Sequence, residues 1–166
     1  GDGTFTQVNK GSLVRDLYNS QGGGWSDLDG DGDLDVIVEA DGHATYRNDG
    51  DGNFVRVREG ALSQESIGGI TPVFGDYDND GRMDVFFPMY NETSQLFHNE
   101  GDWKFTKVLL AAGGDTGFGV WGDYDNDGDL DLFISAGQGT PRANLLYRNN
   151  GDGTLTQVTN SSLVDD

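Results

Sequence analysis

Three short stretches of the chain gather oxygen donors at one fixed spacing. Asp27-Leu28-Asp29-Gly30-Asp31-Gly32-Asp33-Leu34-Asp35 returns as Asp76-Tyr77-Asp78-Asn79-Asp80-Gly81-Arg82-Met83-Asp84, and again as Asp123-Tyr124-Asp125-Asn126-Asp127-Gly128-Asp129-Leu130-Asp131, at steps of 49 and 47 residues. Each copy reads Asp-x-Asp-x-Asp-Gly-x-x-Asp, with carboxylates at positions 1, 3, 5 and 9 and a backbone carbonyl available at position 7. Charged oxygen donors converging on one point select a hard cation such as calcium over softer transition metals. The glycine at position 6 (Gly32, Gly81, Gly128) lets the backbone turn sharply round an ion. Three Ca2+ sites are expected. The first uses Asp27, Asp29, Asp31 and Asp35 with the Asp33 carbonyl, and the second Asp76, Asp78, Asp80 and Asp84 with the Arg82 carbonyl. The third uses Asp123, Asp125, Asp127 and Asp131 with the Asp129 carbonyl.

Asp and Gly are also ordinary turn residues, and a single match would be read as an acidic turn. Three copies in phase argue against that. So does the composition: the formal net charge is −19, from 29 acidic and 10 basic residues, and so large an excess repels itself in any compact state. The loops hold five, four and five of those acidic residues, and three divalent ions would bring the charge to −13. A nucleic-acid partner is not expected of so acidic a chain. There is no cysteine, so disulfides and thiolate metal sites are excluded. No apolar run approaches the ~20 residues that cross a bilayer, and membrane insertion is not expected. The chain opens on Gly1, which reads as a processed or excised piece.

The loops need a scaffold that repeats with them. Phe54-Val55-Arg56-Val57, Phe105-Thr106-Lys107-Val108 and Leu155-Thr156-Gln157-Val158 keep the same period, and a fourth copy, Phe5-Thr6-Gln7-Val8, opens the chain. Helical apolar spacing is absent, and each repeat divides into four short strands. A glycine-bearing inner strand such as Gly22-Gly23-Gly24-Trp25 leads into the Asp loop, and residues 34–38, 83–87 and 130–134 leave it as nearly continuous apolar strands, expected to be covered on both faces. A third strand carries Tyr46-Arg47-Asn48, Phe97-His98-Asn99 or Tyr147-Arg148-Asn149, and an Asn/Asp/Gly turn hands over to the fourth. The expected fold is all-β, with β-propeller blades of four antiparallel strands, three repeats plus one spare strand. Residues 1–16 read as the last strand of a preceding blade, 17–66 as blade one, 67–114 as blade two and 115–166 as blade three.

An EF-hand would need a 12-residue loop closed by Glu between helices; these loops close with Asp and run into strands. Trp25-Ser26-Asp27, Phe74-Gly75-Asp76 and Trp121-Gly122-Asp123 resemble the Phe-Gly lead into the loop of FG-GAP or VCBS-type repeats in integrin-α-like propellers. That resemblance implies calcium in the hairpin between the first two strands of a blade, an extracellular setting, and a role in adhesion or recognition. The longer cage pattern of integrins is only loosely met, and integrin functions are not carried over.

Other residues have competing readings. His43 and His98 lack a partner nucleophile and read as structural. Arg47 and Arg148 can bind an anionic ligand, but salt bridges to nearby carboxylates are favoured. Asn48, Asn99 and Asn149 read as turn caps. Trp25, Phe74 and Trp121 share one repeat position and read as inter-blade packing over sugar-stacking platforms. Trp103 stands where a turn glycine is expected and reads as an exposed contact residue. Asn91-Glu92-Thr93 and Asn160-Ser161-Ser162 fit the N-glycosylation pattern.

The expected function is an extracellular calcium-stabilised module that binds a protein or carbohydrate ligand. Its recognition loops are expected after the second strands, at residues 41–43, 89–94 and 137–142, where repeat length varies. A structural scaffold without its own ligand is the alternative. An enzyme is not expected, because no nucleophile, base and oxyanion set can be assembled. Three blades leave two apolar flanks open, so a homodimer completing a six-bladed ring is a further expectation, with residues 4–8 competing for the edge that 154–158 would hold.

Overall fold

The computed structural model describes residues 2–16, 19–20, 22–40, 42–64, 71–89, 92–110, 116–137 and 143–159. Short runs rich in β-branched, aromatic and glycine residues, many bounded by Asn, Asp and Gly, form twelve strands among the described residues. They fall into three separate four-stranded sheets, and each is a meander of nearest neighbours. Blade one holds β1 (Gly22–Ser26), β2 (Asp35–Ala40), β3 (Gly42–Asn48) and β4 (Phe54–Val57). Blade two holds β5 (Val73–Gly75), β6 (Asp84–Phe87), β7 (Gln95–Gly101) and β8 (Lys104–Val108). Blade three holds β9 (Thr116–Gly122), β10 (Asp131–Ala136), β11 (Leu145–Asn149) and β12 (Leu155–Val158). Every pairing is antiparallel, as the propeller-blade reading requires.

The second strand of each blade is where the blades meet. Because side chains alternate along a strand, Val85 and Phe87 of β6 face blade one while Phe86 faces blade three. One core, with Leu28, Ile37, Leu62, Val85, Phe87, Met89, Phe97 and Phe105, lies between blades one and two. Another, with Tyr77, Phe86, Leu96, Leu110, Leu132, Ile134 and Tyr147, lies between blades two and three. Some inner-strand glycines leave room for a ring of the adjoining blade. A Cβ on Gly119 would stand 2.6 Å from the Phe86 ring, and one on Gly75 would stand 2.7 Å from the Trp121 ring. Glycine there admits the aromatic of the adjoining blade.

Two single helical turns were not legible in the apolar periodicity. α1 (Ser12–Arg15) and α2 (Ala61–Gln64) each follow a glycine with positive φ, Gly11 and Gly60 at 94°. Leu62 inserts into the core between blades one and two, and Leu13 packs against Val36, Ala44 and Tyr46. Ser12 donates from its hydroxyl to the Phe54 carbonyl at 2.5 Å, and Tyr46 donates to Asp16 at 2.6 Å, so α1 is tied to blade one. Residues 4–8 carry no ladder among the described residues, and their repeat equivalent, β12, pairs with β11.

Candidate metal centre

Each Asp loop is the hairpin between the first and second strands of its blade. The residue before position 1 stands opposite position 9 in all three ladders: Ser26 with Asp35, Gly75 with Asp84, Gly122 with Asp131. The loop's own amide groups then fold onto its carboxylates. Position 1 accepts twice: Asp27 from Gly30 and Gly32 N–H, Asp76 from Asp80 and Gly81, Asp123 from Asp127 and Gly128. Position 5 accepts from the amide of position 7: Asp31 from Asp33, Asp80 from Arg82, Asp127 from Asp129. Gly32, Gly81 and Gly128 all have positive φ, 94°, 87° and 98°, which a side chain would resist.

Position 9 is the buried anchor. Asp35, Asp84 and Asp131 each use one oxygen to accept from the amide of position 2 (Leu28, Tyr77, Tyr124) and the other to accept from the third-strand Asn amide (Asn48, Asn99, Asn149). Burial pushes the Asp35 carboxyl up to about 6, with Asp29 and Asp31 adding to it and the two N–H bonds opposing it. Asp84 is likewise pushed up to about 6, chiefly by burial and in smaller part by Asp78. A buried carboxylate among other carboxylates is costly to ionise until a cation joins them.

One oxygen from each of Asp27, Asp29 and Asp35 lies within a 4.8 Å cluster, and the same holds for Asp76, Asp78 and Asp84, and for Asp123, Asp125 and Asp127. Asp31 and Asp131 stand outside the clusters of their own loops; Asp80 clusters instead with Asp78 and His98. The donor set is hard oxygen throughout loops one and three. In loop two, Asp78 Oδ1 is buried without a hydrogen-bond partner, a polar atom that a cation would satisfy. His98 Nδ1 lies 3.3 Å from both Asp78 and Asp84. At the equivalent place in blade three, Arg148 bonds Asp125 at 2.8 Å and Asp127 at 3.2 Å. Arg47 bonds Asp49 at 2.7 Å, and Arg82 pairs with Asp80. The arginines are salt-bridged, as favoured.

The recurring asparagines do more than cap turns. Their Oδ1 atoms accept from Gly50, Gly101 and Gly151 N–H, which is the capping role. The Asn99 amide also donates to Met83 O in its own blade and to Leu28 O in blade one, both at 3.0 Å. Asn149 repeats this with Leu130 O at 3.1 Å and Tyr77 O at 2.5 Å in blade two. Loops one and two are thus each fastened to the next blade. Spacing within a repeat cannot reveal this, because the partner lies in another repeat.

Several expectations change. Trp103 is not a free contact residue: its indole N–H donates to Asp29 at 2.8 Å and its ring packs on the core between blades one and two. It holds φ 61°, taking the backbone role of the glycine it replaces. His43, Met89 and Ser94 are not presented to a ligand. His43 is buried, stacks on Phe87 and pairs with Glu39 at 3.0 Å, while Met89 and Ser94 are buried and bonded to each other. Residues 41, 90, 91 and 138–142 lie outside the described residues, as do Asn91 and Asn160 of the glycosylation patterns. Phe74 and Trp121 pack between blades as read; Trp25 is exposed.

The family model for the FG-GAP-like repeat matches residues 27–87 and 123–166, spans that begin at the first aspartate of loops one and three. The chain belongs to the FG-GAP-like repeat family. Comparison with curated proteins gives no match. Acidic clusters able to hold a metal sit in each of these FG-GAP loops, and no helix among the described residues is long and apolar enough to cross a membrane.

Proposed function

We propose that the chain is an extracellular, calcium-stabilised β-propeller module that binds a protein or carbohydrate partner. The observation that carries the calcium reading is the recurrence, in all three blades, of carboxylates brought within 4.8 Å and backed by a buried position-9 aspartate. Calcium would be held by Asp27, Asp29, Asp31, Asp35 and the Asp33 carbonyl, by Asp76, Asp78, Asp80, Asp84 and the Arg82 carbonyl, and by Asp123, Asp125, Asp127, Asp131 and the Asp129 carbonyl. Its charge would offset repulsion that the chain otherwise bears alone. Family membership supports the extracellular setting, since millimolar calcium suits loops of this kind, whose affinities commonly fall near ~10⁻⁴–10⁻³ M.

Isothermal titration of the metal-free chain with calcium is expected to show three binding events. Failure to bind calcium, with magnesium and zinc equally inert, overturns the reading. A glycan array and a pull-down from extracellular extract test the ligand; silence in both, with calcium bound, favours a scaffold without its own ligand. No hydrolytic turnover is expected in a substrate screen.

A further inference from the structure

Loop two departs from loops one and three at two places, and both change what it can hold. At position 7 it carries Arg82 where the others carry Asp33 and Asp129, which leaves it four carboxylates against five. Arg82 also pairs with Asp80, so part of the remaining charge is already offset. Calcium is held through the number and charge of its oxygen ligands, and loop two offers it less of both. The second departure supplies a different donor. The third-strand residue before the recurring asparagine is Arg47 in blade one, Arg148 in blade three and His98 in blade two. Arg148 lays its guanidinium on positions 3 and 5 of loop three, Asp125 and Asp127, and fills that place with a fixed positive charge. His98 stands at the same two positions of loop two, Asp78 and Asp80, and brings a ring nitrogen there instead.

The geometry is that of adjacent ligands. One donor atom from each of Asp78, Asp80 and His98 lies within 4.8 Å of the others, and His98 Nδ1 is 3.3 Å from an oxygen of Asp78 and 3.3 Å from one of the fully buried Asp84. That nitrogen is shut off from solvent yet completes no hydrogen bond, and Asp78 Oδ1 is also buried without a partner. Two orphaned polar atoms from different elements, the loop and β7, meet at one place, which marks a missing partner. The spacing suits a small ion. Two donors about 2.1 Å from one centre stand about 3.0 Å apart at an octahedral angle and about 3.4 Å apart at a tetrahedral one. Tyr77 holds the imidazole edge to face, at 6.2 Å and 84°. Among the described residues, no such group of ligands includes His43.

We propose that loop two takes a transition dication of the zinc type, with His98 Nδ1 as its nitrogen ligand and Asp78, Asp80 and Asp84 as its oxygen donors. Imidazole is a good ligand for zinc and its neighbours, whereas calcium takes oxygen. With Nδ1 on the metal, the ring is neutral and its proton sits on Nε2. Loops one and three, which have no nitrogen donor, keep calcium. The inference rests on the reading of the loops as cation sites and makes them inequivalent: the middle loop follows the supply of a different metal from its two neighbours.

Isothermal titration of zinc into the calcium-saturated chain is expected to show a single site. His98→Arg gives blade two the residue of blade three, and His98→Gln keeps an uncharged side chain. Both are expected to weaken zinc by about tenfold or more, with an unchanged circular-dichroism spectrum and with calcium still bound at loops one and three. The chain has two histidines, so their ring-proton signals can be told apart. Paramagnetic cobalt(II) in place of zinc should shift and broaden those of His98 far more than those of His43. Zinc binding that survives both substitutions, several zinc sites of equal strength, or cobalt that leaves the His98 ring unmoved overturns the inference. A chain that binds calcium and ignores zinc overturns it too and leaves the calcium reading standing; zinc held through His98 in a chain indifferent to calcium supports it and removes calcium instead.

Discussion

Each position-9 aspartate is asked for two things at once: to accept two backbone N–H bonds inside the protein, and to stand beside an ion. The first demand can be separated from the second. Asp84→Asn replaces one acceptor oxygen with an NH2 group that must face the amide of either Tyr77 or Asn99. A buried donor left unpaired costs about 1–3 kcal/mol, and urea denaturation of the metal-free variant should show that loss before calcium is considered. A metal-free variant as stable as the metal-free parent would contradict this hydrogen-bond account. The second demand shows in pH. Burial raises Asp35 and Asp84 to about 6, above the ordinary value of 3.8, so the metal-free folded chain binds more protons than the unfolded chain in that interval. Their contribution therefore weakens the metal-free fold as pH rises through about 6 and spares it below the ordinary carboxylate range. Calcium requires the ionised forms, so its affinity at the first two loops runs the other way. Titrations near pH 5 and near pH 7.5 should show markedly weaker binding at the lower pH; equal affinities would show that these two carboxyls do not take part.

A strand in this chain is specified locally, but its neighbour in the adjoining blade is not, and that divides what the sequence reveals from what it conceals. The Asp loops, the four strands and their order are legible because the apolar runs, the Asn/Asp/Gly turns and the loop pattern recur in one phase. The inter-blade reach of Asn99 and Asn149, the bond from Trp103 to Asp29 and the burial of His43 join residues of different blades, which no spacing within a repeat encodes. The helical turns at residues 12–15 and 61–64 escaped for another reason: four residues are too few for a 3.6-residue period to appear. The inner-strand glycines show how close approach replaces pattern as the cause. Gly119→Ala would set a methyl group 2.6 Å from the Phe86 ring, with Leu132 close behind. Overpacking of that kind costs about 1–3 kcal/mol, and the shift of the denaturation midpoint measures it. An alanine accommodated at no cost would mean that Phe86 has room to move, contrary to its complete burial.

At the scale of the whole molecule the dominating quantity is a net charge of −19 on 166 residues. Most of it is mutual repulsion that unfolding relieves, since an expanded chain holds its carboxylates farther apart. Two agents can oppose that repulsion without touching the core. Dissolved salt screens it at range, with a Debye length of about 10 Å at 0.1 M that shortens to about 3 Å at 1 M. Calcium opposes it locally and only in the folded form, contributing roughly 2.7 kcal/mol per site at a hundredfold excess over its dissociation constant. At about 2–4 °C per kcal/mol for a chain of this size, that is on the order of 5–10 °C per occupied loop. The two agents act on overlapping charges, because 14 of the 29 acidic residues lie in the loops. Their effects should therefore be less than additive. In a chelator-treated sample, sodium chloride is expected to raise the melting temperature steeply. With calcium in excess the whole curve should lie higher and its dependence on salt should flatten. Thermal scans over a salt series, run with and without calcium at one protein concentration, check both. Parallel curves would mean that the loop carboxylates are not where the repulsion resides, and a salt-independent melting temperature in chelator would mean that the charge does not limit stability at all.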